Sequence, residues 1–308
     1  MIHPCALISS NQLRNRSTAS PNSIHFPKVI QPPIPVNHDI RILKSSDIPG
    51  ALKLCRASGW NQLATDWHRL IEHEPDGCFT VKVNQEIIAT ATTTCYGTEL
   101  AWIGMMLVHE QYRRQGIAKA LITNCLEYLR SRHIRCIKLD ATPVGKMAYG
   151  QLGFRDEWSF HRWRREGDSE GTAHCISGIA TDDKWNLPLD QRAFGVDRRR
   201  WLNRLAAHSH TVNLQDGSGM IREGHLASYI GPMVAATPST ATQMISKLLA
   251  KTSRTTFWDI PQPNQHAVTL ARDNGFLPVR DLTRMWTGRQ LIPCDLSLQY
   301  ALSDPGTG

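Results

Sequence analysis

Apolar residues occupy nearly every position of Leu100-Ala-Trp-Ile-Gly-Met-Met-Leu-Val108. Such a run predicts a strand buried on both faces. Downstream, Ala118, Leu121, Ile122, Cys125 and Leu129 fall at helical spacing, which predicts a helix starting near Ile117. Upstream, Ile40–Leu43 reads as a short strand. Ser46-Asp47-Ile-Pro49 starts a helix that Gly59 breaks, and a second helix runs from about Leu63 to Glu72. Phe79–Val83 and Ile87–Tyr96 alternate as a hairpin around Asn84-Gln85. Beyond the central helix come a strand over 134–140, a short helix that carries Met147, Tyr149 and Leu152 to a stop at Gly153, and a pair of closing strands over 154–163.

The second half of the chain repeats this pattern. Ile230-Gly-Pro-Met-Val-Ala235 parallels Ile103-Gly-Met-Met-Leu-Val108, and Asp259 with Gly275-Phe276 parallels Asp140 with Gly153-Phe154. A repeated supersecondary unit implies a repeated fold. The expected division is a disordered or loosely attached segment over 1–38, a first domain over 39–165, a linker over 166–183, a diverged second domain over 184–290, and a tail over 291–308. Residues 1–38 hold no Asp or Glu and are rich in Ser, Asn and Pro. Organelle transit peptides are also acid-poor, and an upstream start codon is the blander account.

Composition narrows the partners. A chain of 308 residues with 41% hydrophobic and 20% charged positions matches a soluble globular protein of about two domains. No apolar run approaches the ~20 residues that cross a bilayer, so a cytoplasmic, non-membrane protein is expected. The net charge of +8 favours an anionic partner, either nucleic acid or a phosphate-rich cofactor. No zinc finger or RNA-recognition signature supports nucleic acid. The 8 cysteines are scattered, and those at 78, 95, 125 and 136 lie in apolar segments. They read as core residues, with neither a disulfide frame nor a metal site expected.

The chemistry concentrates between the buried strand and the helix after it. Helix first-turn N–H groups lack internal partners and carry partial positive charge, so they attract phosphate. Arg113 and Arg114 add permanent charge, and Gly116 lets a ligand approach the backbone. Arg113-Arg-Gln-Gly116-Ile-Ala118 fits Arg/Gln-x-x-Gly-x-Gly/Ala and resembles the pyrophosphate motif of the GCN5-related N-acetyltransferase (GNAT) superfamily. Tyr149-Gly-Gln-Leu-Gly-Phe154 resembles that superfamily's second signature. Asp190, Gly195, Asp197-Arg198, Gly231-Pro232, Asp259-x-Pro261 and Arg284-Met285 resemble a bacterial two-domain type with a degenerate second domain.

The resemblance implies tandem α/β (α+β) domains, each a mixed, mostly antiparallel sheet flanked by helices. It implies acetyl transfer from acetyl-CoA to an amine of a small molecule or peptide, by direct attack on the thioester and without a metal. It places Met106, Leu107, Val108, Arg113, Arg114, Gln115, Gly116, Ile117, Ala118, Lys119 and Thr142 on the cofactor. Thr142 stands where many members carry Asn. Tyr149 is the expected acid. Glu99 is the expected base, weighed against His109 and Asp140, with Asp140 read as structural because Asp259 echoes it. The second half has Ala236-Thr-Pro-Ser-Thr-Ala241 where the loop should be, without glycine or arginine, so no cofactor is expected there. The alternative to an enzyme is a non-catalytic acyl-CoA sensor. Trp60, Trp67 and Trp163 could line a pocket, though tryptophans at such spacings are more often core. The acceptor and the oligomeric state are not readable from the residues.

Overall fold

Period-2 and period-3.6 patterns settle into strands and helices that alternate twice along the chain. The structure is a computed structural model and describes residues 39–167 and 185–308. The expected N-terminal segment and nearly all of the linker lie outside those residues.

The first half runs β1 (Ile40–Ile42), α1 (Ile48–Ala57), α2 (Ala64–His73), β2 (Cys78–Val83), β3 (Glu86–Tyr96), β4 (Leu100–Val108), α3 (Ile117–Ser131), β5 (Cys136–Ala141), α4 (Pro143–Gly150) and β6 (Arg155–Arg165). The second runs α5 (Leu187–Phe194), α6 (Arg199–Ala206), β7 (Ser209–Leu214), β8 (Gly217–Arg222), β9 (Ser228–Ala235), α7 (Pro238–Leu249), β10 (Thr256–Pro261), α8 (Gln265–Asp273), β11 (Leu277–Gly288) and β12 (Gln299–Ala301). Leu121, Ile122, Cys125, Leu126 and Leu129 of α3 are buried against one face of the first half's strands. In the second half Ala241, Met244, Ile245 and Leu248 of α7 do the same. Cys78, Cys95, Cys125 and Cys136 are buried free thiols.

The twelve strands of the described residues form one sheet, in the order β1-β2-β3-β4-β5-β11-β6-β10-β9-β8-β7, with β12 on β9. The halves exchange their last strands. β5 of the first half pairs with β11 of the second, and β10 of the second pairs with β6 of the first. β6 and β11 then pair with each other about Phe160↔Leu282. This corrects the expected pair of closing strands over 154–163. Those residues form one continuous strand, because both of its neighbours come from the other half.

The exchange explains the Asp140/Asp259 echo. Arg284 on β11 stands opposite Asp140 and donates to both its carboxylate oxygens, each at 2.9 Å. Arg162 on β6 stands opposite Asp259 and donates at 2.8 and 2.7 Å. Both aspartates are fully buried at the side chain. Arg284 is also flanked by Trp102 and Trp158, each 4.3 Å from the guanidinium. Breaking such a pair would leave a buried charge unpaired, so the two act as matched clamps on the exchanged strands.

Candidate active site

The site begins where a parallel strand pair parts. β4 pairs with β5 only from Leu100↔Cys136 to Trp102↔Lys138 and then diverges. Across β4, Thr92 faces Gly104 and Thr90 faces Leu107, so Met105 and Met106 bulge opposite Ala91. Met105 sits at φ +49°, and the Thr90 hydroxyl fixes the bulge by donating to the Met105 carbonyl at 2.8 Å. His109 N–H donates to Ile88 on the β3 side at 2.8 Å. N–H direction alternates along an antiparallel strand, so Leu107 N–H faces β3 and Val108 N–H faces the gap.

The chain then makes a short 3₁₀ turn at Glu110–Tyr112 and reaches α3 through Arg114 at φ +61° and Gly116 at φ +83°. Gly116 is the N-cap of α3 and offers no side-chain acceptor, so the first-turn N–H groups of Ile117, Ala118 and Lys119 stay available. Arg113, Arg114, Gly116, Ala118 and Lys119 are exposed, while Ile117 anchors the helix in the core. Arg113 Nε donates to the Val108 carbonyl at 3.1 Å, and the Gln115 amide donates to Gln111 at 3.2 Å. Together these residues form an open basic cradle at a helix start, suited to a phosphate group.

A cavity adjoins the parted strands. Met105, Met106, Asp140, Thr142 and Tyr149 line it from the first half, with Trp60, Asn61 and Gln62 of the α1–α2 loop. Arg280 and Leu282 of β11 and Pro305 and Gly306 of the tail complete the wall. The tail approaches so closely that a Cβ on Gly104 would collide with the Gly306 backbone. The Tyr149 ring packs edge-on against Phe154, and burial, followed by the nearby Cys125, pushes its phenol up to about 12. Tyr149 is therefore a hydrogen-bond donor throughout the physiological range. Thr142 caps α4 by accepting from Gly145 N–H at 3.1 Å and also faces the cavity. Burial, opposed by Arg284, pushes the Asp140 carboxyl up to about 6, and Arg284 occupies both its oxygens.

Glu99 is not brought to this cavity. It precedes the far end of β4, roughly 13 Å of extended chain before Ile103, where the cavity wall begins, and it pairs with Arg135 at 2.8 Å with 43% of its side chain exposed. The base assignment to Glu99 is therefore corrected: the residue is a solvated strand end. His109 lines a separate cavity with α1. Trp67 and Trp163 are core residues, while Trp60 does face the cavity. No sequence signal marks Gln62, Arg280 and Gly306, which also line the cavity. Each lies in a loop, strand or tail with no local motif, and only the exchanged topology brings them together.

The second half contains the same parting strands, closed. β9 pairs with β10 from Ser228↔Thr256 to Ile230↔Trp258, and Gly231 and Pro232 form its bulge. In register these two residues match Met105 and Met106, one position off the sequence alignment. β12 then pairs with β9 at Gln299↔Val234, and the following Leu302 N–H donates to Asp259 O at 3.0 Å. Trp258 Nε1 donates to Tyr300 O at 2.8 Å, sealing the gap. At the start of α7, Thr237 accepts from Thr240 N–H at 3.1 Å, and Pro238 has no N–H to offer.

A duplicated fold with parted strands, a bulge and a helix-start cradle defines a tandem acetyltransferase-type protein. Residues 51–154 match the acetyltransferase (GNAT) family and residues 187–301 match an acetyltransferase (GNAT) domain. The uncharacterized N-acetyltransferase YitH of Bacillus subtilis is 25% identical over 235 residues, 71% of this chain and 80% of that protein. A candidate acetyltransferase from Pyrococcus horikoshii, known from its crystal structure, is 25% identical with a TM-score of 0.76, over 87% of this chain and 95% of that one. A tandem GNAT protein of the clavulanic acid biosynthesis pathway shares the fold, with a TM-score of 0.57 and 14% identity over 83% of this chain and 99% of its own. The chain belongs to the GNAT acetyltransferase family and carries two GNAT domains. The family uses acetyl-CoA as co-substrate. No helix among the described residues is long and apolar enough to cross a membrane.

Proposed function

We propose that the first domain, over 39–165, is an acetyl-CoA-dependent N-acetyltransferase acting on an amine, and that the second, over 184–290, binds no acetyl-CoA and instead shapes the acceptor cavity. The observation that carries this reading is the coincidence, in the first half, of an opened strand pair, a basic cradle at the start of the helix that follows it, and a cavity beside the opened strands that Tyr149 lines.

The residues present fit the cofactor. Ile117, Ala118 and Lys119 N–H groups, with Arg113 and Arg114, would hold the diphosphate, and Val108 N–H and Thr142 would hold the pantetheine arm. When bound, acetyl-CoA supplies an activated acetyl thioester. The bulge leaves Met105 and Met106 without register partners in β3, so main-chain N–H groups there would be available to the negative charge that develops on the carbonyl oxygen. An amine of pKa near ~10.4 must enter neutral, so its proton is released to water. As the new C–N bond forms, the attacking nitrogen would give its second proton to water, and as the C–S bond breaks the sulfur would leave as a thiolate, to which the Tyr149 hydroxyl would donate a hydrogen bond.

Calorimetric titration of acetyl-CoA, followed by thiol release with a panel of amines, tests the reading. Saturable binding and amine-dependent release support it. Absence of binding contradicts it, and binding with no turnover on any amine points instead to an acyl-CoA sensor.

A further inference from the structure

The acceptor cavity contains a charge that the fold does not require. Arg280 comes from β11 and lies directly opposite Arg162 on β6. Like charges facing each other across strands oppose pairing. Arg162 is neutralised by Asp259 through two hydrogen bonds. Arg280 is half-buried and, among the described residues, makes no side-chain hydrogen bond or ion pair. Burial first, and Arg162 second, hold its guanidinium below the usual range.

The internal symmetry excludes a scaffold role for this charge. Exchange of β6 and β11 maps Arg162 onto Arg284, both of which bind aspartates. Arg284 stands opposite Trp158, so the counterpart of Arg280 is a tryptophan. The sheet therefore closes on itself without an arginine at that position. A second group in the same cavity is also unsatisfied: the Gln62 side-chain oxygen is buried without a hydrogen-bond partner. It can accept from an amine. Asp140, the carboxylate on the wall, is committed to Arg284.

We propose that the acceptor is an amine that also bears a carboxylate, with Arg280 receiving the carboxylate and the amine lying between Gln62 and the bulge at Met105–Met106. The inference rests on the acetyl-transfer reading and adds the acceptor's class. A guanidinium fork binds a carboxylate through two parallel hydrogen bonds. A single uncompensated positive charge matches a monoanion, whereas a phosphate would leave excess negative charge in a half-buried site. The second domain thus contributes a specificity residue to the first domain's chemistry, which accounts for the exchange of β11 into the first half.

The test uses the full chain, acetyl-CoA, and the standard amino acids paired with their carboxamides. The wild type is expected to favour acids over amides by roughly 10–100-fold in kcat/KM, the worth of a charge-assisted pair. Arg280→Gln should erase that preference through the KM for the acid, and Arg280→Lys should restore part of it. Affinity for acetyl-CoA should not change in either variant, and the thermal midpoint should not fall. The inference is overturned if amides serve as well as acids, if the preference survives Arg280→Gln, or if acetyl-CoA binds but no amino acid is acetylated. A wild type that does not bind acetyl-CoA would overturn the acetyl-transfer reading itself, and this inference with it.

Discussion

The two halves of the sheet start from the same plan and differ in whether the parting strands are filled. In the first half β4 and β5 diverge around an opening that reaches Tyr149. In the second half β12 fills the corresponding space, Thr237 accepts from one helix-start donor, and Pro238 removes another. The tyrosine has no counterpart either, because Ala271, five residues before Phe276 as Tyr149 is before Phe154, is a buried alanine. The elements the halves share, the two Asp–Arg clamps, hold the sheet together. The elements they do not share are those to which we assign the chemistry.

The largest expected effect tests what is shared. Asp140→Asn and Asp259→Asn should each cost about 3–5 kcal/mol, because each leaves an arginine charge buried and unpaired. The two costs should be similar, and denaturant unfolding of the residues 39–308 sheet should follow one transition because both clamps bridge the halves. Two separate transitions, or a large loss at only one aspartate, would break the symmetry argument.

The next effect tests what differs. Gly116→Glu should weaken acetyl-CoA binding by calorimetry by more than roughly 100-fold, since a carboxylate would face the diphosphate and a side chain would strain the left-handed N-cap. Ser239→Glu, at the start of α7, should leave affinity unchanged. Equal losses would mean that both halves bind the cofactor.

Tyr149→Phe should lower kcat roughly 10–100-fold through loss of one hydrogen bond to a charged sulfur, with acetyl-CoA affinity nearly unchanged. The raised phenol keeps its proton from pH 6 to pH 10, since ionisation begins only as pH nears about 12. The pH–rate profile of the variant should therefore keep the wild-type shape over that range. A limb that disappears in the variant would make Tyr149 a titrating acid. The smallest effect is expected from Glu99→Gln. An exposed ion pair contributes about 0–1 kcal/mol, and the residue lies far from the cavity, so activity should change less than about twofold. A loss of two orders of magnitude would return Glu99 to the chemistry.

Local pattern made the cradle readable. A buried strand, a basic loop with one glycine and an amphipathic helix are contiguous, and their physics is decided within about 30 residues. The same holds for the α4 turn at Gly153 and for the repeat itself. Long-range pairing was not readable. Residues 154–163 show strand character but not which strands lie beside them, and a three-residue strand in the tail has too little pattern to announce that it fills a gap. Glu99 is misleading for a related reason. Its nearness to the buried strand in sequence says nothing about which end of that strand opens. Arg280 resembles any basic residue on an edge strand until the exchange places it on the wall of the cavity that Gln62 and Tyr149 also line.

A crystal structure of the full chain with acetyl-CoA tests the central claim most directly. The account predicts one molecule per chain, its diphosphate against the N–H groups of residues 117–119 and its sulfur beside the Tyr149 hydroxyl, with β12 still seated between β9 and β10. Cofactor lodged at the start of α7, or a 113–118 segment folded shut against it, would contradict the account.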